Sequence, residues 1–392
     1  MSKLENLLKE FCPEGVEYKT VGDIATDIYR GSGITRDQIA AEGTPCVRYG
    51  EIYTTYGIWF DHCVSYTNKK LLTNPKYFEH GDILFAITGE NVEDIAKCTA
   101  YTGHECCLAG GDIVVLKHNQ NPKYLSYALS TSSARNQKGQ GKIKSKVVHS
   151  SVPSIKKIVI PVPPLEVQQE IVRILDQFTQ LTAKLTAELT AELTARKRQY
   201  EHYQARLVTF ADNVQFLPLA QIAEIGTGSS NTNEELQDGK YPFFVRSQDV
   251  RRKNTYEYDE TAIITSGDGV GVGKIFHYVE GKYALHQRAY RIHIIDDRVI
   301  PRFYYYYMKS TFLPYIEKAS FHSSVTSIRR PMLNNFPVPL ISLPEQHRIV
   351  AILDRFDALC NDLNSGLPAE ITARQKQYEY YRDKLLTFPQ KN

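Results

Sequence analysis

Residues 161–210 read PVPPLEVQQEIVRILDQFTQLTAKLTAELTAELTARKRQYEHYQARLVTF, and residues 339–388 read PLISLPEQHRIVAILDRFDALCNDLNSGLPAEITARQKQYEYYRDKLLTF. Laid over one another at a constant offset of 178 residues, without a gap, the two stretches agree at 24 of 50 positions. The islands of identity are IVxILDxF (171–178 and 349–356), the TAR-x-x-QYE run (194–201 and 372–379) and the LxTF endings. A repeat of this length speaks about architecture. It predicts two matching helical segments, each following a globular one.

In the first copy, large apolar residues stand at Ile171, Leu175, Phe178, Leu181, Leu185, Leu189, Leu193, Tyr200, Tyr203, Leu207 and Phe210. Steps of three and four mark one face of a helix. Proline is absent after Pro164 and glycine is absent throughout. Roughly 48 helical residues make a rod about 70 Å long, and the second copy is the natural surface for such a rod to pack on. The copies differ in one place. Residues 182–193 repeat TAKL-TAEL-TAEL, where the second copy has Asn364, Ser365, Gly366, Leu367 and Pro368. Gly followed by Pro interrupts a helix and starts a new one. One continuous and one broken helix are therefore expected. One TAEL unit more or less would change the rod by about 6 Å.

The length of 392 residues suggests two or three domains, and 42% hydrophobic with 23% charged residues is an ordinary globular balance. A net charge of +3 does not by itself argue for nucleic acid. The cysteines, Cys12, Cys46, Cys63, Cys98, Cys106, Cys107 and Cys360, form no CxxC pair. An odd, unpatterned set fits reduced thiols in a cytoplasmic protein. The N-terminal residues do not read as a signal peptide, and no apolar run approaches membrane-spanning length.

The segments ahead of the two helices share an order of parts. Residues 21–28 answer 219–225, 45–49 answer 242–246 (strands), 83–87 answer 262–265 (strands), and 122–129 answer 301–308 (helices). The closest local match is HSSVPSIKK at 149–157 against HSSVTSIRR at 322–330. The fold expected is α+β: two mixed α/β domains separated by long antiparallel coiled-coil-like helices, in a pseudo-two-fold tandem duplication. Its boundaries are 1–160 for the first domain, 161–212 for the central spacer helix, 213–338 for the second domain, and 339–392 for the C-terminal spacer helices, broken near 364–368. Two divergent globules on shared spacers suit a bipartite, roughly two-fold target. Duplex DNA has that character, since half-sites recur at about one helical turn, ~34 Å.

These residues resemble the specificity (S) subunit of type I restriction-modification systems, over essentially the whole chain. The most specific parts are PLxxQxxIVxILD at 164–176 with its second copy at 343–354, the TAEL repeats, RKxQYxxY at 196–203 with its counterpart at 374–381, and KYALHQRAYRI at 282–292. The resemblance implies a non-catalytic DNA-recognition subunit that binds two methyltransferase (M) subunits and, through them, two restriction (R) subunits. It implies no cofactor on this chain: S-adenosylmethionine belongs to the M subunit, and ATP and Mg to the R subunit. A coiled-coil scaffold joining two protein-binding modules is the alternative, and it predicts no salt-sensitive DNA binding.

Catalytic and metal motifs are not found in the sequence. The Asn/Asp-Pro-Pro-aromatic motif of an adenine methyltransferase is absent. GDGVGVGK at 267–274 lacks the P-loop glycine five residues before Gly-Lys and the Ser/Thr after it, since Asp268 and Ile275 stand there. The run after Lys274 reads as a strand, so a hairpin, or a glycine turn allowing close approach to DNA, is expected. No His spacing suits zinc.

Phosphate contacts need Lys, Arg and small polar groups, while base edges are read by Arg, Lys, Asn, Gln or Ser. Candidates in the first domain are Arg30, Ser32, Arg48, Lys69, Lys70, Lys142, Lys144 and Lys146. In the second they are Arg246, Gln248, Arg251, Arg252, Lys253, Lys274, Gln287, Arg288, Arg329 and Arg330. The two His-Ser-Ser runs are read either as phosphate-positioning loops or as capping turns into the long helices. The Tyr304–Tyr307 run is expected as a buried helix face. Tyr200, Tyr203, Tyr378 and Tyr381 are the candidate contacts to the partner subunits.

Overall fold

The computed structural model describes residues 2–140, 147–211, 213–319, 327–362 and 365–391. The chain divides into two compact units, 1–187 with 372–392, and 188–371. The first unit is thus built from both ends of the sequence. Gly15–Tyr18 meets the C-terminal segment directly: Val16 pairs with Gln390, Lys391 N donates to Val16 O at 3.0 Å, and Tyr18 OH donates to Phe388 O at 3.0 Å.

In the first unit, a five-stranded sheet runs in the order Ala25–Arg30, Ile113–His118, Ile83–Ala86, Cys98–Tyr101, Trp59–Phe60. Side chains alternate between the faces of a strand, and here both faces are dry. Ile83, Phe85, Val114 and Leu116 turn to one cluster, with Tyr124 and Tyr127 of the Pro122–Leu129 helix and Val167, Ile171 and Leu175 of the long helix. Leu84, Ala86, Ile113 and Val115 turn to the other, with Val47, Cys107 and Ala109 of a second five-stranded sheet.

The second unit holds one six-stranded sheet, in the order Ala223–Thr227, Ala289–Ile294, Tyr258–Ser266, Phe276–Leu285, Tyr241–Phe244, Arg251–Lys253. Ile263, Ile292 and Phe276 pack against the Pro301–Ala319 helix, whose Tyr304 and Tyr306 are fully buried. The tyrosine run is therefore core, as its helical pattern suggests. The strand expected at 45–49 ends at Val47, because Tyr49 opens a short helix, Tyr49–Thr54. The unbroken strand Phe276–Leu285 corresponds in the first unit to two pieces, Cys98–Tyr101 and Cys107–Ala109. In each unit this element supplies a parallel partner to the 44–47 or 241–244 strand.

The long helix is continuous from Leu165 to Leu207. The second copy forms two helices, Leu343–Asn361 and Leu367–Leu385. At the break, a Cβ on Gly366 would lie 2.5 Å from Ala358 O, so only glycine lets the chain pass that close. Asn364 lies outside the described residues. Within the second unit the helices run antiparallel: Tyr200 and Tyr203 meet Phe356 at centroid distances of 6.1 and 5.6 Å, while the earlier Lys197 lies in the field of the later Cys360.

Candidate nucleic-acid interface

Each globule is fastened to its spacer by matching hydrogen bonds, and the spacer residues that make them lie in the repeat. Gln168, fully buried, accepts Asn121 N at 3.0 Å and donates to Pro163 O and Gln120 Oε1, each at 2.7 Å. Gln346, also fully buried, accepts Ile300 N at 2.8 Å and donates to Ile341 O at 2.9 Å and Arg298 O at 3.0 Å. In both cases the glutamine holds the turn that starts the Pro122–Leu129 or Pro301–Ala319 helix. Eight residues on, Asp176 and Asp354 bind a cation and a tyrosine from that helix, Lys123 with Tyr127 and Arg302 with Tyr306. A tyrosine hydroxyl then reaches the strand ahead of the spacer, from Tyr124 to Pro161 O at 2.9 Å and from Tyr304 to Pro339 O at 2.7 Å. The shared segments thus set the angle at which each globule leaves its own spacer.

The HSSV match does not hold in space. Val152–Lys156 forms a short helix after which Val159–Pro161 pairs with Tyr18–Thr20; the equivalent helix in the second unit is Arg330–Asn334, followed by Pro337–Pro339 paired with Phe216–Pro218. The true correspondence is the 178-residue offset of the repeat, five residues out of step with the local match. Ser151 Oγ accepts Ser154 N at 3.3 Å, so the first run caps this short helix and not a long one. His322, Ser323 and Ser324 lie outside the described residues.

In the first unit, Arg30, Ser32 and Arg48 come together around the turn at 109–112. Ser32 bridges to Gly110, and a Cβ on Gly110 would lie 3.4 Å from Arg48 Cα. The Arg30 guanidinium reaches Gly111 O and lies 2.6 Å from Asp112 Oδ1; Ser32 Oγ donates to Asn74 O. Arg48 Nε is 3.1 Å from Glu51, a buried carboxylate that also accepts Ser65 Oγ at 2.6 Å. Arg48 is therefore fixed as part of a helix start. Lys69 and Lys70 are exposed on a separate short turn, Lys69–Leu71. Lys142, Lys144 and Lys146 lie outside the described residues.

In the second unit, four loops converge. Ser230 bridges to His286, as Ser32 does to Gly110, and Gln287 Nε2 donates to Asn231 Oδ1. Arg246 Nη1 lies 2.8 Å from Asp268 Oδ1, and Arg288 Nη1 lies 3.1 Å from Asp268 Oδ2. Burial pushes the Asp268 carboxyl up, but hydrogen bonds from both guanidiniums outweigh it and hold the group below its ordinary range. Arg251 pairs with Glu235, and Lys253 Nζ lies 2.5 Å from Glu234 and 2.8 Å from Ser230 Oγ. Arg252 is turned to the backbone, donating to Gly239 O at 2.6 Å and Lys240 O at 3.1 Å. Gln248, Lys274 and Arg329 are exposed. Arg330 is not a free basic group: its guanidinium donates to Ile225 O. The glycine stretch is the link of a hairpin, with Thr265 opposite Phe276. Sequence reasoning passed over Asp268, Asn231 and Ser230, the polar groups that hold these arginines and glutamines in place. The signal available was an aspartate inside a glycine turn, between arginines distant in sequence.

Of the partner-contact tyrosines, Tyr200 is a correction. It is only 6% exposed, packed on Phe356 and the Pro301–Ala319 helix, so it serves the core of its own unit. Tyr378 is half-buried and its hydroxyl lies 2.9 Å from Thr179 Oγ1. Tyr203 and Tyr381 remain exposed, stacked on Phe356 and Phe178. Tyr380, Phe178 and Leu181 are exposed beside them in sequence or in space and were not singled out in the sequence.

The model of the type I restriction modification DNA specificity domain matches this chain twice, over residues 13–195 and 211–373. The chain belongs to this family. It is 34% identical to the EcoR124I/EcoR124II specificity subunit of Escherichia coli, over 68% of this chain and 71% of that one. A second relative is the putative type I specificity subunit S.HindORF215P of Haemophilus influenzae, 33% identical over 63% of this chain and 68% of its own. Among solved structures, a chain from work on complex assembly and conformational transition of a type I R-M system aligns over 96% of this chain and 98% of its own, with a TM-score of 0.67 and 16% identity. The HsdS subunit from Thermoanaerobacter tengcongensis covers 96% of both chains with a TM-score of 0.51 and 14% identity. These two likenesses bear on the fold. The chain is a type I specificity subunit with two recognition domains in tandem. Among the described residues no helix is long and apolar enough to cross a membrane, and no group of three His, Cys, Asp or Glu is placed to hold a metal ion.

Proposed function

We propose that this chain is the non-catalytic, cytoplasmic subunit that reads a bipartite, asymmetric DNA target for a type I complex. The observation that carries the reading is the doubly built fastening of globule to spacer through Gln168 and Asp176, and through Gln346 and Asp354, with basic loops on each globule that differ in sequence. Shared fastenings with divergent loops suit a protein that presents two different half-site readers on one frame. Two methyltransferase (M) subunits dock on the spacers, with exposed Tyr203, Tyr380, Tyr381 and Phe178 as the apolar anchors, and two restriction (R) subunits join through them. S-adenosylmethionine is held by the M subunits, and ATP with Mg by the R subunits. The TAEL run at 182–193, continuous in the helix, sets the gap between half-sites.

The experiment is methylome sequencing of a host expressing the modification subunit with and without this chain. A new bipartite adenine-methylation motif that depends on the chain is expected. A stable complex that methylates no motif would defeat the reading.

A further inference from the structure

The link between the strands Tyr258–Ser266 and Phe276–Leu285 is drawn tight by glycine. Gly269 and Gly273 have φ of +85° and +71°, in the region glycine favours, and a Cβ on Gly271 would lie 2.3 Å from Ile275 Cδ1. Within it Asp268 is turned inward and Val270 outward, 98% exposed. The Asp268 backbone is held on both sides: it bridges to Ser327, and its carbonyl accepts Ser266 Oγ at 2.9 Å.

Each Asp268 oxygen takes one arginine, by Nη1 in both cases. The carboxylate is 25% exposed while the Arg246 and Arg288 side chains are 42% and 61% exposed, so the cationic groups face outward. With Nη1 engaged, the Nη2 and Nε edge of each guanidinium has no protein partner among the described residues. That edge matches the paired O6 and N7 acceptors of guanine in the major groove. A guanidinium already held in one orientation loses less freedom on binding. A phosphate site has no use for a carboxylate between its cations, since it repels the ligand and halves the net charge. A base-reading site gains from it, because the carboxylate aims the fork.

We propose that Arg246 and Arg288, aimed by Asp268 as a positioning residue, are the guanine-reading fork of the second recognition domain. The inference rests on the DNA-reading role proposed above and adds which base is read and by what.

The test uses the chain with its modification subunit in a methylation-free host, mapping the methylated motif for the wild type, for R246K and R288K, and for D268N and D268E. The lysine variants keep charge and lose the fork. Discrimination for a guanine in one half-site falls about tenfold or more, and the other half-site stays intact, which reports that the variant folds. D268N loosens the same position and D268E restores it. Competition between four duplexes differing only at that position gives the same ranking in the purified complex. A wild-type motif with no guanine in either half overturns the inference, as does undiminished discrimination in R246K and R288K. A small and equal change of affinity for all four duplexes, with the salt dependence unchanged because lysine keeps the charge, assigns the pair to phosphate and also overturns it. If the wild type yields no motif at all, the DNA-reading role fails first, and separately.

Discussion

Lys123 Nζ lies 2.8 Å from Asp176 Oδ2, tying the Pro122–Leu129 helix to the long spacer helix. Tyr127 OH donates to the other carboxylate oxygen at 2.9 Å, and the ammonium also sits 3.8 Å from the Trp59 ring centre. Charge-assisted bonds of this kind are the stronger ones. D176A removes both contacts and leaves a half-buried cation unpaired, so it should cost roughly 2–3 kcal/mol. D354A should cost less, because Asp354 is 43% exposed against 22% for Asp176. Urea unfolding of the two variants measures the difference; equal losses would contradict the burial argument.

Gln168 and Gln346 make a second pair of predictions. Q168A strands Asn121 N–H in a half-buried place and should cost roughly 1–3 kcal/mol. Hydrogen exchange localises the effect: the Asn121 amide loses protection and the Ile300 amide does not. Q346A should show the reverse.

Lys69 and Lys70 are exposed on one short turn and suit phosphate contact. In the complex, K69A/K70A should weaken binding to any duplex and flatten the slope of log K against log salt by about 2. The methylated motif should not change. A changed motif would make these lysines base readers.

His118 carries a pH signature. Burial pushes its imidazole down to about 4. The unfolded chain, with the ordinary value near 6.5, therefore binds the proton more tightly. Stability is full above about pH 6.5 and falls as pH drops through the window to 4, by roughly 3 kcal/mol in all. His277 and His286, also lowered by burial, add slope of the same sign. H118Q should flatten the curve of stability against pH in this window relative to the wild type; an unchanged slope would remove His118 as its source.

The duplication, the continuous helix and the broken one were legible because periodicity and the Gly366-Leu367-Pro368 break are local signals. The wiring of the globules was not. The Phe276–Leu285 strand and its split counterpart are related by long-range pairing, which no short window carries. The HSSV match misled because nine similar residues outweighed the register that strand pairing imposes. Burial of Tyr200 and exposure of Tyr380 depend on where the helix face turns against its neighbours. Asp268 was unreadable as an organiser, since Arg246 and Arg288 lie 22 and 20 residues away on either side.

The first unit takes residues 372–392 from the far end of the chain, and Leu386 is buried in its core. A ribosome delivers that piece after residues 188–371. The 188–371 unit has all its residues before then, so the usual order of domains completing from the N-terminus is reversed here. A stop codon at 372 would be felt in the recognition domain made before the 188–371 unit, which would stay open while the later-made unit closed. Without residues 372–392 the first unit loses Leu386 from its core and the backbone partners of Val16, while the 188–371 unit keeps all of its own residues.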